Sequence, residues 1–274
     1  MKFITMKPNQ FLLMAGLGLA TLTFSSCEKE QVLPATPGKP TTGTPTTTTP
    51  PPVTTPPVTT NSLVKQFDTD VFKYDARNRV VEVSYTYQAD LGYAVVYEGS
   101  KVARLNYKNG DYALYTYEGD KVVKAVVHAP DNKVKFDYTL AYTGDRVVKL
   151  TTITFVDIPS KRGHLSIIDY KYDTKGNLAE QVLVWSPSNS PDDMRGPTVI
   201  KWGDYDNNPN PMPFTLHNLY IPGVKVSTNN PGFRDLYGKE LYAYTYHDSG
   251  MPKERTLRLE REPGLQPYTV KYTY

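Results

Sequence analysis

The sequence predicts an all-β domain, an antiparallel meander of repeated β-hairpins forming a strongly twisted, curled sheet, open and barrel-like or elongated. Three observations predict it. The stretch Tyr115-Thr116-Tyr117-Glu118-Gly119-Asp120-Lys121-Val122-Val123-Lys124 reads as strand, tight turn, strand, and versions of it recur along the chain. Tyrosine is over-represented, at 22 of 274 residues, and favours strands. No stretch sustains the apolar periodicity of a helix.

The N-terminus reads as an address and a tether. Lys2 and Lys7 form a basic start, and the apolar run from Phe11 to Phe24 has the length of a signal peptide and is short for a spanning helix. The run ends in Phe24-Ser25-Ser26-Cys27. Small residues before a lone cysteine look like a lipobox, which implies a signal peptide over 1–26 and acylation of Cys27. Cys27 is the only cysteine, so the domain folds without disulfides. Several acyl chains on one residue give stable anchoring. Glu28-Lys29-Glu30 resembles the charged tag that sends some lipoproteins to the outer leaflet of the outer membrane. The alternatives are a plain polar start to the linker and a periplasmic position.

Residues 27–61 form the linker. Over 31–60, Thr and Pro fill 21 of 30 positions and no aromatic residue occurs. Such a segment buries no core and stays extended. At about 3.1 Å per residue it reaches up to roughly 90 Å. The β-domain takes 62–274, enough chain for one sizeable core. Two of the 31 basic residues precede Cys27, leaving 29 against 28 acids. That balance gives no reason to expect nucleic acid as a partner.

The hairpins are taken in strict alternation. With Gly119-Asp120 at the turn, glycine supplies the positive φ of a type II′ hairpin. Tyr117 then faces Val122 and Tyr115 faces Lys124 on one side of the sheet; Thr116 faces Val123 and Leu114 faces Ala125 on the other. The turn at Gly99-Ser100 sets Tyr97 against Val102 and Val95 against Arg104. The turn at Gly144-Asp145 sets Tyr142 against Val147 and Leu140 against Lys149. One face is tyrosine with valine and a cation, and the other is small and aliphatic. A curled sheet is expected to turn the aliphatic face inward, with two packed sheets as the alternative.

Looser copies follow at Phe72-Lys73-Tyr74-Asp75, Tyr170-Lys171-Tyr172-Asp173-Thr174-Lys175-Gly176-Asn177-Leu178, Tyr244-Thr245-Tyr246 and Tyr272-Thr273-Tyr274. The Tyr170–Leu178 stretch resembles the tyrosine–aspartate (RHS-type) repeat. The pattern over roughly 65–274, with the turn Tyr205-Asp206-Asn207-Asn208-Pro209, is similar to an uncharacterised β-rich domain of Bacteroidetes-type surface lipoproteins. That resemblance implies fold and envelope address, and carries no activity.

In order, strands are expected near 67–74, 78–87, 92–97, 101–107, 111–117, 121–128, 133–142 and 146–155, then near 165–172, 177–185, 197–203, 239–246, 252–261 and 267–274. Whether the first and last meet decides whether the sheet closes. Tyr205 to Gly238 interrupts the array, with Phe214–Tyr220 read as a short helix. Such an excursion is where function sits or where a sheet is capped.

Catalytic and metal patterns are missing from the sequence. His128, His164, His217 and His247 form no close ligand pair, and no nucleophile elbow occurs. Asp204-x-Asp206-x-Asn208 begins like a calcium loop, then places Pro209 and Thr215 where Gly and Glu belong. Asp192-Asp193 lies in a Ser/Pro-rich loop. No cofactor or metal is expected, and the reading is non-enzymatic. The candidate ligand surface is Tyr97, Tyr115, Tyr117 and Tyr142 with Arg104, Lys124 and Lys149, an aromatic–cation platform. Cross-strand self-stabilisation of the sheet competes with that role. Three functions fit: a binding or adhesion module for glycan or protein, an envelope scaffold, and a glycan-active enzyme with dispersed carboxylates.

Overall fold

The computed structural model describes residues 63–158, 163–216 and 219–274. The signal segment, Cys27 and the linker lie outside the described residues. The strands are β1 (Gln66–Phe67), β2 (Asp70–Tyr74), β3 (Val80–Tyr85), β4 (Tyr93–Glu98), β5 (Lys101–Tyr107), β6 (Tyr112–Glu118), β7 (Lys121–His128), β8 (Val134–Thr143) and β9 (Arg146–Thr154). Next come β10 (His164–Tyr172), β11 (Leu178–Ser186), β12 (Arg195–Gly203), β13 (Thr215–Leu216), β14 (Leu219–Tyr220), β15 (Phe233–Asp235), β16 (Lys239–Tyr246), β17 (Pro252–Leu259) and β18 (Tyr268–Thr273). All but β13 and β14 join one closed antiparallel barrel of 16 strands in a meander. The first and last strands do meet, Gln66 opposite Thr273 and Phe67 opposite Tyr272.

The hairpin turns form as the sequence demands. Gly99, Gly119 and Gly144 sit at φ +62°, +59° and +56°. Tyr97, Tyr117 and Tyr142 face Val102, Val122 and Val147. Beyond that pair each hairpin departs from strict alternation. A β-bulge skips Ala103, Val123 and Val148, so Val96 faces Arg104, Thr116 faces Lys124 and Ala141 faces Lys149. The same slip recurs between Lys73 and Tyr74, Lys171 and Tyr172, and Thr245 and Tyr246. A bulge adds one residue to one strand and so exchanges the faces beyond it.

This corrects the expected inside and outside. The bulge brings Leu105, Ala125 and Leu150 onto the same face as Val102, Val122 and Val147, and all six are buried. The tyrosines share that inner face. The supposed aliphatic face points outward, with Val96 39% and Leu114 42% exposed. Burying one valine or leucine stabilises by about 1.5–3 kcal/mol, which fixes this choice.

The excursion supplies the other correction. Within the Phe214–Tyr220 stretch read as a helix, described residues form strands instead: Thr215 faces Tyr220 and Leu216 faces Leu219 across a small two-stranded sheet. Leu216, Leu219, Ile221 and Val224 are buried and belong to the same apolar core as the wall valines. The excursion thus folds into the barrel. A closed barrel of this strand number is too wide for wall side chains alone to fill, and the buried apolar residues of the excursion supply the rest of its core.

The two ends of the barrel differ. The turns 99–100, 119–120 and 144–145, the excursion, and both termini of the barrel segment share one end, the turn end. The connections 86–92, 129–133, 187–194 and 260–267, and residues 155–158 after β9, lie at the other, the loop end.

Candidate functional site

The tyrosines expected to form a platform are wall fasteners. Tyr97 Oη donates to the Val80 carbonyl (2.9 Å), Tyr117 to Val102 (2.9 Å) and Tyr142 to Val122 (2.8 Å). Tyr74 does the same to Val64 (2.8 Å) and Tyr172 to Val147 (2.7 Å). Each acceptor from Val80 to Val147 is the residue faced by the tyrosine of its own hairpin, so the hairpins of Tyr97, Tyr117, Tyr142 and Tyr172 each tie the one before. Tyr115 reaches inward instead and donates to the Tyr220 carbonyl (2.6 Å), pinning the excursion. Burial pushes the Tyr117 and Tyr142 phenols up to about 12, and lifts Tyr115 well above its ordinary range.

The expected cations stand apart from these rings. Lys124 pairs with Asp137 (2.9 Å) and Lys149 with Asp169 (3.3 Å) on the outer wall. Arg104 donates to Asn106 Oδ1 (2.7 Å) and stacks over Tyr112. The bulge separates all three from Tyr97, Tyr115, Tyr117 and Tyr142. The cations that do meet the wall tyrosines were missed: Arg79 over Tyr97, Lys101 over Tyr117, Lys121 over Tyr142 and Arg146 over Tyr172. They also donate to the carbonyls of Gly99, Gly119, Gly144 and Gly176 in the next turn. Their sequence signal is a cation directly before the inward valine.

The remaining candidates are also placed. Asp206 Oδ1 accepts the Asn208 and Asn230 N–H groups (3.0 and 3.1 Å), and its Oδ2 accepts Tyr246 Oη and Asn230 Nδ2. The apparent calcium loop is thus an Asx turn that closes the excursion. Asp192 and Asp193 sit in a short turn capped by Ser190. His128 stacks on Tyr112, His164 lies by Thr154 and His247 packs edge-on to Tyr274; His217 is outside the described residues. No group of three metal-ligating side chains occurs among the described residues.

Two surfaces remain open. A cleft of about 290 Å³ at the turn end is lined by Asp173, Lys175, Trp202, Asp204 and Tyr205 among others. Burial works against the Asp173 charge, but N–H donors from Asn177 and Lys175 outweigh it and hold the carboxyl low. At the loop end, Tyr87, Val156, Tyr237 and Leu265 are exposed, Tyr237 by 78%. The outer wall between the ends carries cross-strand ion pairs, Lys73–Glu82, Lys171–Glu180 and Lys271–Glu254 beside the two above. Exposed Val96, Leu114 and Leu241 are interspersed among these charges.

The fold and these surfaces define a closed, filled antiparallel β-barrel with ion pairs along its outer wall. Among solved structures, a porin-like protein from Bacteroides vulgatus is similar, with 15% identity and a TM-score of 0.50 over 77% of this chain and 98% of that one. A porin-like protein from Bacteroides uniformis matches at 14% identity and 0.49, over 74% and 88%. The Photorhabdus luminescens Tc holotoxin pore matches at 16% identity and 0.24, and the match spans 12% of that chain. The first likeness carries the fold alone. No protein-family profile and no curated protein matches the chain.

Proposed function

We propose that this is a lipid-anchored envelope protein whose barrel stands in water and binds glycan or protein through its loop end, without catalysis. One observation carries the reading: the two barrel ends are unlike. The chain enters at the turn end, where Lys65 N–H bonds to the Thr273 carbonyl, so a tether on Cys27 holds that end. Apart from the excursion, the longer connections lie at the opposite end, which also exposes Tyr87, Val156, Tyr237 and Leu265. Binding residues concentrate on loops carried by a rigid scaffold, and exposed tyrosine serves both sugar stacking and protein contact.

Glycan and matrix-protein arrays probed with the wild type and with Tyr87→Ser/Tyr237→Ser/Leu265→Ser test it. The expected result is saturable wild-type binding that the triple variant loses while its melting temperature holds. Blank arrays, or equal binding by the triple variant, would overturn the reading.

A further inference from the structure

We infer that the inner wall beside β15 holds a site for a small oxyanion (a carboxylate, sulfate or phosphate group), centred on Arg234 and Arg255. The inference does not depend on the loop-end reading.

Arg255 lies on the inner face, opposite Tyr244 on one side and buried Val270 on the other. Its guanidinium sits 4.6 Å from the Phe67 ring centroid and 4.9 Å from that of Tyr242. Rings engage the cation's charge but leave its in-plane N–H donors needing acceptors. The Tyr244 hydroxyl accepts from the guanidinium, but Arg255 Nε is buried with no hydrogen-bond partner, and no salt bridge among the described residues involves Arg255. Arg234 repeats the situation. It faces Glu240 across the β15–β16 pair, yet the carboxylate is 3.8 Å away and already accepts from Tyr242 Oη. Arg234 Nε is likewise buried without a partner.

Arg234 thus has one distant carboxylate that is already engaged by Tyr242, and Arg255 has no ion pair among the described residues. Both lie near the Tyr242 hydroxyl: burial and Glu240 push that phenol up, and Arg255 and Arg234 pull against them. A charge withdrawn from water needs a counter-charge and filled donors. A planar oxyanion is what a guanidinium fork recognises best.

The wall also gives a way in. β15 faces β12 only at Lys201–Gly203, so among the described residues the stretch 195–200 has no strand on that side. Arg234 and Glu240 border this notch, and both arginines are half-buried. Trp202, one of two tryptophans, faces Arg234 and reports on the site.

The full-length protein is titrated with sodium sulfate, sodium phosphate and sodium glucuronate at ionic strength fixed with sodium chloride, following tryptophan fluorescence and melting temperature. A saturable change with at least one of the three is expected, and which salts saturate identifies the oxyanion class. Arg255→Gln and Arg234→Gln should each weaken it at least tenfold, while Lys73→Gln on the outer wall leaves the midpoint unchanged. If Arg255→Gln fails to fold, Arg234→Gln carries the comparison. No saturation in the wild type, or an unshifted midpoint in the folded arginine variants, would overturn the site.

Discussion

In the hairpins that turn at Gly99, Gly119 and Gly144, the residue before the inward valine is Lys101, Lys121 or Arg146. Each reaches forward along the wall, over the next tyrosine and onto the next turn. In the hairpin that turns at Gly176, the same place holds Asn177, which is fully buried. Asn177 Oδ1 accepts the N–H groups of Thr228 (2.9 Å) and Asn229 (2.8 Å), and Leu178 N–H bonds to Ser227 Oγ (3.3 Å). A long cation continues the wall. A short amide, donor and acceptor at once, turns the contact inward and secures the excursion. One position thus decides whether the repeat extends the barrel or fills it.

Alkali should break both regions, and is the largest effect expected. Burial raises the phenols of Tyr74, Tyr117, Tyr142 and Tyr172 from 10.0 to about 12. A raised folded-state value means stability is whole below the ordinary tyrosine value and is lost as pH climbs toward 12. Circular dichroism and tyrosinate absorbance should change together in that window. Ionisation near 10 with the sheet intact would contradict the ladder.

The next predictions separate the regions. Ile221→Ala and Leu219→Ala in the excursion should each cost about 2–5 kcal/mol in urea unfolding. Asn177→Ala, which strands two backbone N–H groups, should cost about 2–3 kcal/mol. On the regular wall, Tyr117→Phe should cost about 1 kcal/mol. Leu114→Thr and Lys124→Gln, both on the outer face, should stay within about 0.5 kcal/mol. A Leu114→Thr penalty of core size would mean that the faces are reversed.

Much of the wall was legible. Turn residues, the tyrosine–valine pairs and the order of strands follow from Gly-Asp and Gly-Ser signals. The faces were misread because alternation was carried through a bulge. Its trace is present in the apolar spacing: Val102 to Leu105, Val122 to Ala125 and Val147 to Leu150 are three apart, where a regular strand needs two. The excursion left no such trace. Leu216, Leu219, Ile221 and Val224 follow no strand or helix period, because the lumen decides their burial. The candidate platform failed to assemble for the same reason as the faces. A bulge in each hairpin turns its cation to the outer face, away from its inward tyrosines. Arg234 and Arg255 come together through the pairing of β15, β16 and β17, whose register the excursion before β15 leaves unmarked in the sequence.

Hydrogen exchange over 204–232 tests the central claim, that the excursion is the barrel's core. If it is, amides around Leu219 to Val224 exchange as slowly as those of β6 and β7, opening only with global unfolding. Fast exchange there, with the wall strands still protected, would show a surface loop and contradict the account.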